Sequence, residues 1–183
     1  MQLFLIPLGI LALIALYLIG IYNKLAKLKV RIDEAWSQID VQLKRRADLI
    51  PNLVETVKGY ASHEKGVFQQ VTEARSALMS ASNVKEAGQA DQQLQTALKS
   101  LFAVAEAYPE LKAQEGFTNL QRELSDTEDK VAYSRQFYNA VVRDFNTMLA
   151  TFPTNVVGNM LGYSQREFFE ASEEERKNVE VDF

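Results

Sequence analysis

The chain has 183 residues, with no cysteine and one histidine. The absence of cysteine excludes disulfide bonds, thiolate catalysis and cysteine-based metal sites. The one histidine, His63, has no second histidine at helical spacing, which excludes a histidine-based zinc motif. The glycines form no phosphate-binding loop. We therefore predict that the protein is not an enzyme, with no catalytic residue, no metal site and no cofactor, and that His63 has a surface or capping role.

Helix-breaking residues and positive charge are also scarce. Four prolines and eight glycines stand among many Ala, Leu, Gln, Glu and Lys residues, a composition that favours helix throughout. The formal net charge is −4, whereas a general nucleic-acid binder is usually basic. We expect an all-α protein that has no nucleic-acid partner.

The first 23 residues carry no charged side chain, and residues 3–22 are almost entirely apolar. Twenty helical residues span about 30 Å, the thickness of the apolar core of a bilayer. No basic residue precedes the run and no small-residue cleavage motif follows it, so residues 1–23 are expected to form a retained transmembrane helix. The residues expected at the membrane interface are Tyr17, Tyr22, Lys24 and Lys27.

The flanking charges predict the orientation of this helix. Lys24, Lys27, Lys29 and Arg31 follow the apolar run, and no basic residue precedes it. The positive-inside rule then places the N-terminus outside and the large domain in the cytoplasm. The alternative is that these residues only begin an ordinary helix at the headgroups.

Beyond residue 30 the apolar residues recur at the i, i+3, i+4, i+7 spacing of helices with one buried face. Pro51 lacks a backbone donor, so we expect a kink or short break at Asp48–Pro51. The predicted fold is a single transmembrane helix followed by an elongated antiparallel bundle of three to four long helices over residues 24–165, with an acidic tail over 166–183. The expected segments are a helix up to about residue 48, helices at 51–79, 91–108 and 118–151, and a loop at 80–89.

Two helical clusters are candidate partner-binding surfaces. Arg45 and Arg46 either lie on a solvated face or contact a partner. Asn139 and Asn146 lie seven residues apart and share a helix face. If that face is buried, the two amides fix the register between helices, and if it is open, they form an amide-rich strip for a partner.

The tail is a third candidate. Val179, Val181 and Phe183 alternate as in a strand and end at the C-terminal residue. Such an end suits capture by strand addition to the sheet edge of a partner. The alternative is an end that folds onto its own bundle or frays.

Several stretches together resemble the LemA family of bacterial membrane proteins. They are Tyr22–Glu64, Ala105–Ala113, Phe152–Gly158, the run YNAVVRDFN and the ending VEVDF. The resemblance implies one membrane helix, a bundle of long helices, and no established enzymatic activity or cofactor. Relatives are often encoded near membrane-bound metalloproteases and TPM-domain proteins, and one acts in magnetosome membrane formation. One departure is Ala47, where the family usually has an aromatic residue, and we expect that position at the surface.

These observations lead to two hypotheses. The first is a non-enzymatic, single-pass scaffold or adaptor of the bacterial inner membrane, which recruits or organises partners such as a membrane metalloprotease or a TPM-domain protein. The second is a membrane-tethered sensor or ligand-binding module that signals through its helical rod. A homo-oligomer is a further arrangement that the sequence allows.

Overall fold

The computed structural model describes residues 2–169, with side chains from residue 5 onward. Across this range the chain is helical and contains no strand, which confirms an all-helical fold with bundle-like packing and a long apolar helix at its start. Val179, Val181 and Phe183 lie outside the described residues. The helices are α1 (Gln2–Lys58), α2 (Lys65–Ser80), α3 (Val84–Glu106), α4 (Pro109–Lys112), α5 (Glu115–Ala150) and α6 (Thr154–Met160).

The helices pack in two units. The first, called the anchor unit here, consists of residues 2–36 of α1 and residues 137–168, which include α6. The second, called the distal unit here, consists of residues 37–136 together with Phe169. The predicted boundaries at residues 23 and 165 stay predictions.

The buried stripe of α1 follows the predicted periodicity. Its apolar members recur every three or four residues, as expected for one face of a helix packed against its neighbours. On α5 the predicted stripe is likewise buried or half-buried. The fully buried members of the α1 stripe include Ala35, Ile39, Leu53 and Val57, and the buried α5 members include Leu124, Val131, Val142 and Phe145.

The predicted break at Asp48–Pro51 is wrong, because α1 continues through Pro51 to Lys58. A proline inside a helix cannot donate to the carbonyl four residues earlier, which here belongs to Ala47. The side chain of Arg75, on α2, supplies the missing donor, with Nε 2.8 Å from the Ala47 carbonyl oxygen. Ala47 is fully buried, so its expected surface position is also wrong. A donor from another helix thus satisfies the carbonyl that Pro51 leaves open.

We expect Arg75→Ala to lower the free energy of unfolding by about 1–3 kcal/mol, the cost of a buried acceptor without a donor. In a Pro51→Ala background, where residue 51 regains its N–H, the same substitution should cost less. Chemical denaturation of the full chain in detergent, followed by circular dichroism, measures all four members of this cycle. Equal costs in the two backgrounds would contradict the pairing of Arg75 with Pro51.

The helix boundaries after α1 also differ from prediction. Instead of one helix over residues 51–79, a turn at residues 59–64 separates α1 from α2. The predicted loop at 80–89 shrinks to Ala81–Asn83, because the Asn83 side chain accepts a hydrogen bond from the Glu86 N–H and caps α3. The Glu86 carboxylate accepts from the backbone and hydroxyl of Ser82, and these bonds lower its pKa. Local capping thus outweighs the loop-like composition.

Candidate functional site

The N-terminal part of α1 exposes apolar side chains around its whole circumference. Every residue from 5 to 20 is exposed, including ten large aliphatic side chains. Leaving these side chains in water would cost on the order of 10 kcal/mol or more, which is comparable to the whole stability of a typical domain. A groove on a partner protein covers one face, whereas lipid covers all faces of a helix. By length and composition this segment can cross a membrane.

The apolar segment joins the packed core of the anchor unit without a break. Ile21, Leu25, Leu28 and Ile32 are buried at helical spacing directly after the exposed run. The Trp36 ring then meets Tyr138 edge to face, with ring centroids 6.2 Å apart. One helix therefore serves as both the apolar segment and a core element of its unit.

The four residues predicted at the membrane interface lie along this helix. Tyr17 and Tyr22 are exposed towards the end of the apolar run. Lys24 and Lys27 are exposed just beyond it. The order from apolar residues through tyrosines to lysines is the one expected across a headgroup layer.

The side chain of Asn146 binds the extended segment that follows α6. Its amide nitrogen donates to the Arg166 carbonyl, and its amide oxygen accepts from the Arg166 N–H, both at 2.8 Å. About two turns earlier on α5, the hydroxyl of Tyr138 donates to the Glu167 carbonyl at 3.0 Å. Burial raises the pKa of Tyr138 above its ordinary value, which keeps the phenol protonated as a donor. Asn139 is half-buried on the same helix.

These contacts settle part of the alternative drawn for the amide pair. Asn146 is neither an open strip nor a contact between two helices, because both of its polar atoms bind the backbone of residue 166 of the same chain. The heptad spacing identified a polar residue with a structural role, but the extended segment that it binds has no periodicity to reveal it.

We expect Asn146→Ala to detach residues 163–168 from α5, since two hydrogen bonds worth about 1 kcal/mol each are lost. Limited proteolysis of the full chain in detergent should then cleave this segment faster, while the helices remain protected. Thr147→Ala, at the exposed neighbouring position, is the matched control and should cleave like the original protein. Equal cleavage in both variants would show that the amide does not hold the segment.

In the distal unit, Arg46 and Asp91 form a buried ion pair between α1 and α3. Arg46 Nη1 lies 3.0 Å from Asp91 Oδ1, and each side chain is only 3% exposed. Arg46 Nη2 lies 3.5 Å from Glu128 Oε2 of α5, whose side chain is 54% exposed. Through its contacts with Asp91 and Glu128, Arg46 therefore connects α1 with both α3 and α5.

The surroundings of this pair are polar but incompletely satisfied. Gln95 Nε2 lies 3.4 Å from the second carboxylate oxygen of Asp91. Arg46 Nε and Gln42 Oε1 are buried with no hydrogen-bond partner among the described atoms. Burial raises the pKa of Asp91, and the nearby Arg46 charge opposes part of that shift. A cleft of about 220 Å³ opens beside Arg46, with a lining that includes Gln95, Lys99, Gln121, Ser125 and Glu128.

The expectation that Arg45 and Arg46 share an exposed face is wrong for Arg46. Arg45 is exposed, but Arg46 is 2% exposed and cannot meet a partner at the surface. Asp40 and Lys44 do form the exposed i, i+4 pair that their spacing favours, with Oδ2 and Nζ 2.6 Å apart. Sequence reasoning missed Asp91 and Glu128, although Asp91 lies at the spacing of the buried α3 stripe.

Among residues 2–169, no group of three His, Asp or Glu side chains is placed to hold a metal ion. His63 is exposed in the turn between α1 and α2.

A family model described as the LemA family matches residues 35–183. The chain belongs to the LemA family. That match begins in the middle of α1 and includes α2 to α6. It therefore covers both the buried ion pair and the Asn146 contact.

The relatives of this LemA-family chain include bacterial proteins named LemA and MamQ. Protein LemA of Metamycoplasma hominis is 29% identical over 167 residues, which cover 89% of this chain and 75% of that protein. Magnetosome protein MamQ 2 of Paramagnetospirillum magneticum is 24% identical, covering 89% of this chain and 69% of the relative. Magnetosome protein MamQ of Magnetospirillum gryphiswaldense is 23% identical, covering 73% and 58%.

Proposed function

We propose that this LemA-family protein is a non-enzymatic, membrane-anchored helical scaffold or adaptor in the bacterial cell envelope. The observation that carries the proposal is α1, in which an apolar segment exposed on all sides and a buried core stripe belong to one helix. A partner that docks on the packed helices is thereby held at the membrane surface. The magnetosome names of the MamQ relatives support a role in organising a cellular structure.

The orientation that we propose has the N-terminus outside and the packed helices in the cytoplasm of a bacterial inner membrane, in agreement with the positive-inside rule. Because the chain has no cysteine, Ser82→Cys at the exposed turn before α3 gives a single labelling site. A membrane-impermeant maleimide should label it only after lysis. Labelling in intact cells would reverse the orientation and direct the search to partners outside the membrane.

The partners that we propose are membrane or envelope proteins, first a membrane metalloprotease or a TPM-domain protein, with a homo-oligomer as a further arrangement. Arg45 is the predicted contact residue that remains exposed on α1. A photo-crosslinking amino acid at position 45 of the full chain should yield discrete adducts in cells. The same substitution at Glu55, also exposed on α1, is the control. Adducts that are identical at both positions and follow protein abundance would contradict a specific contact at Arg45.

The second candidate function is a ligand-binding module, and the cleft beside Arg46 favours it. The unpaired Arg46 Nε and the surrounding glutamines suit a small polar molecule. A ligand that binds only the folded state raises the melting temperature of the protein. A metabolite screen should then find a stabilising compound whose effect is lost in Ser125→Trp, which narrows the cleft. A screen without any stabilising compound would count against this candidate.

A further inference from the structure

Exposed apolar side chains lie on one side of α6 and directly beside it in the anchor unit. Four large apolar side chains that lie close together in sequence are exposed there. Phe152 is 82% exposed and Met160 is 83% exposed, with Val156 and Leu161 about half exposed. Val156 and Met160 lie one turn apart on one side of α6, whereas Phe152 lies in the turn just before the helix and Leu161 directly follows it. We call these four residues the α6 apolar surface.

The opposite side of α6 packs tightly within its own unit. Thr154 and Gly158 are buried. A Cβ atom placed on Gly158 would lie 2.5 Å from Leu149 Cδ2 and 3.9 Å from Leu25 Cδ1, so α6 lies against both α5 and α1. The edge-to-face contact of Phe145 with Tyr163, at 6.0 Å between ring centroids, holds the chain after α6. The α6 apolar surface is therefore fixed in place rather than being one side of a loose segment.

The position of α6 along α1 places this surface next to the bilayer. Leu25 lies three residues after Tyr22, where the exposed apolar run of α1 ends, and three residues correspond to about 4.5 Å of helix. A helix that lies in the membrane interface buries its apolar face about 5–10 Å into the headgroup and acyl boundary. α6 therefore lies at the level of the headgroups, from which its exposed apolar side chains can reach the acyl boundary.

The charge pattern of the segment points to the same occupant. Residues 145–165 contain no charged side chain, although charged residues make up 24% of the chain. A helix that faces water normally carries charges on its outer side. Lys24 and Lys27 on the neighbouring α1 are long enough to reach the headgroups from this level.

We propose that the α6 apolar surface inserts into the interface of the same bilayer that α1 spans, as a second, shallow membrane contact. This inference rests on the proposed membrane anchoring by α1. Two contacts at one level would restrict how far the anchor unit tilts at the membrane.

The test uses the full-length chain in phospholipid vesicles, with an environment-sensitive fluorophore on a single cysteine and a spin-labelled lipid as quencher. Met160→Cys reports the α6 apolar surface, and Phe152→Cys repeats the measurement at an independent site. Ile14→Cys reports the α1 span. Glu34→Cys is the water-facing control, exposed on the same helix twelve residues after Tyr22, or about 18 Å along it.

We expect the Met160 and Phe152 probes to show blue-shifted emission and to lose intensity with a quencher near the lipid headgroup. The Ile14 probe should be quenched best by a quencher deep in the bilayer, and the Glu34 probe by neither. If the α6 probes behave like Glu34 while Ile14 is quenched, the inference is wrong and the anchor stands. If Ile14 is not quenched either, the proposed anchoring fails as well. Blue-shifted α6 probes that lipid does not quench, and that lose the shift on dilution in lipid, would assign the surface to a second copy and overturn the inference.

Discussion

Replacing Asp91 with alanine is expected to lower the free energy of unfolding by about 3–5 kcal/mol, because the substitution leaves the Arg46 charge buried without its closest counterion. The two side chains are each 3% exposed, so water cannot replace the lost carboxylate. Glu128 lies farther from the guanidinium and is more than half exposed, and it compensates only in part. Chemical denaturation in detergent, followed by circular dichroism, measures the loss.

Two further variants distinguish this explanation from a simple packing defect. Asp40→Ala removes a carboxylate from the exposed pair with Lys44 and should change the free energy of unfolding by about 0–1 kcal/mol. The double substitution Arg46→Met with Asp91→Leu removes both buried charges and should regain most of the lost stability. A double variant that is as unstable as Asp91→Ala would show that volume, and not charge, decides the outcome.

Leu13→Arg places a charge in the middle of the apolar run and is expected to make membrane insertion less favourable by about 2.5–3.5 kcal/mol. Leu13 is 69% exposed and contacts no core that could shelter the new charge. The fraction of full-length chain that resists alkaline extraction from membranes should fall. Adding Leu16→Arg roughly doubles the penalty, so the loss becomes measurable even where insertion of the original helix is strongly favourable.

Val30→Arg is the matched control for this prediction. Val30 is also apolar and 55% exposed on α1, but it lies beyond the apolar run and beyond Lys24, Lys27 and Lys29. Its replacement should leave extraction unchanged. If Leu13→Arg with Leu16→Arg remains membrane-bound to the same extent as Val30→Arg, the apolar run is not what holds the protein in the membrane.

The helical fold could be predicted from the sequence because apolar residues mark one face of each helix. The same spacing also predicts a buried position for Arg46. Ile39, Leu43, Arg46, Ile50 and Leu53 follow one another at alternating intervals of four and three residues, so Arg46 occupies a core position. Its charge suggested a solvated face. The partner that makes burial tolerable, Asp91, lies 45 residues away, and no local pattern connects the two.

The wrong break at Pro51 has a similar cause. Local rules predict that a proline opens the helix, and the Ala47 carbonyl is indeed left without its helical donor. The Arg75 side chain compensates from another helix, 28 residues further along the chain than Ala47. The contact of Asn146 with the Arg166 backbone is also long-range. Helix periodicity is local, whereas the contacts that define the candidate sites join distant parts of the sequence.

The central claim is that α1 is one unbroken helix that both crosses the bilayer and packs in the anchor unit. A distance measurement between spin labels at Ile14→Cys and Glu34→Cys, on the full chain in vesicles, tests it most directly. Twenty residues of continuous helix predict a narrow distribution centred near about 30 Å. A broad or clearly shorter distribution would mean that the helix breaks between lipid and core. If the label at position 14 is lost because the apolar run has been cleaved from the protein, the anchor itself is contradicted.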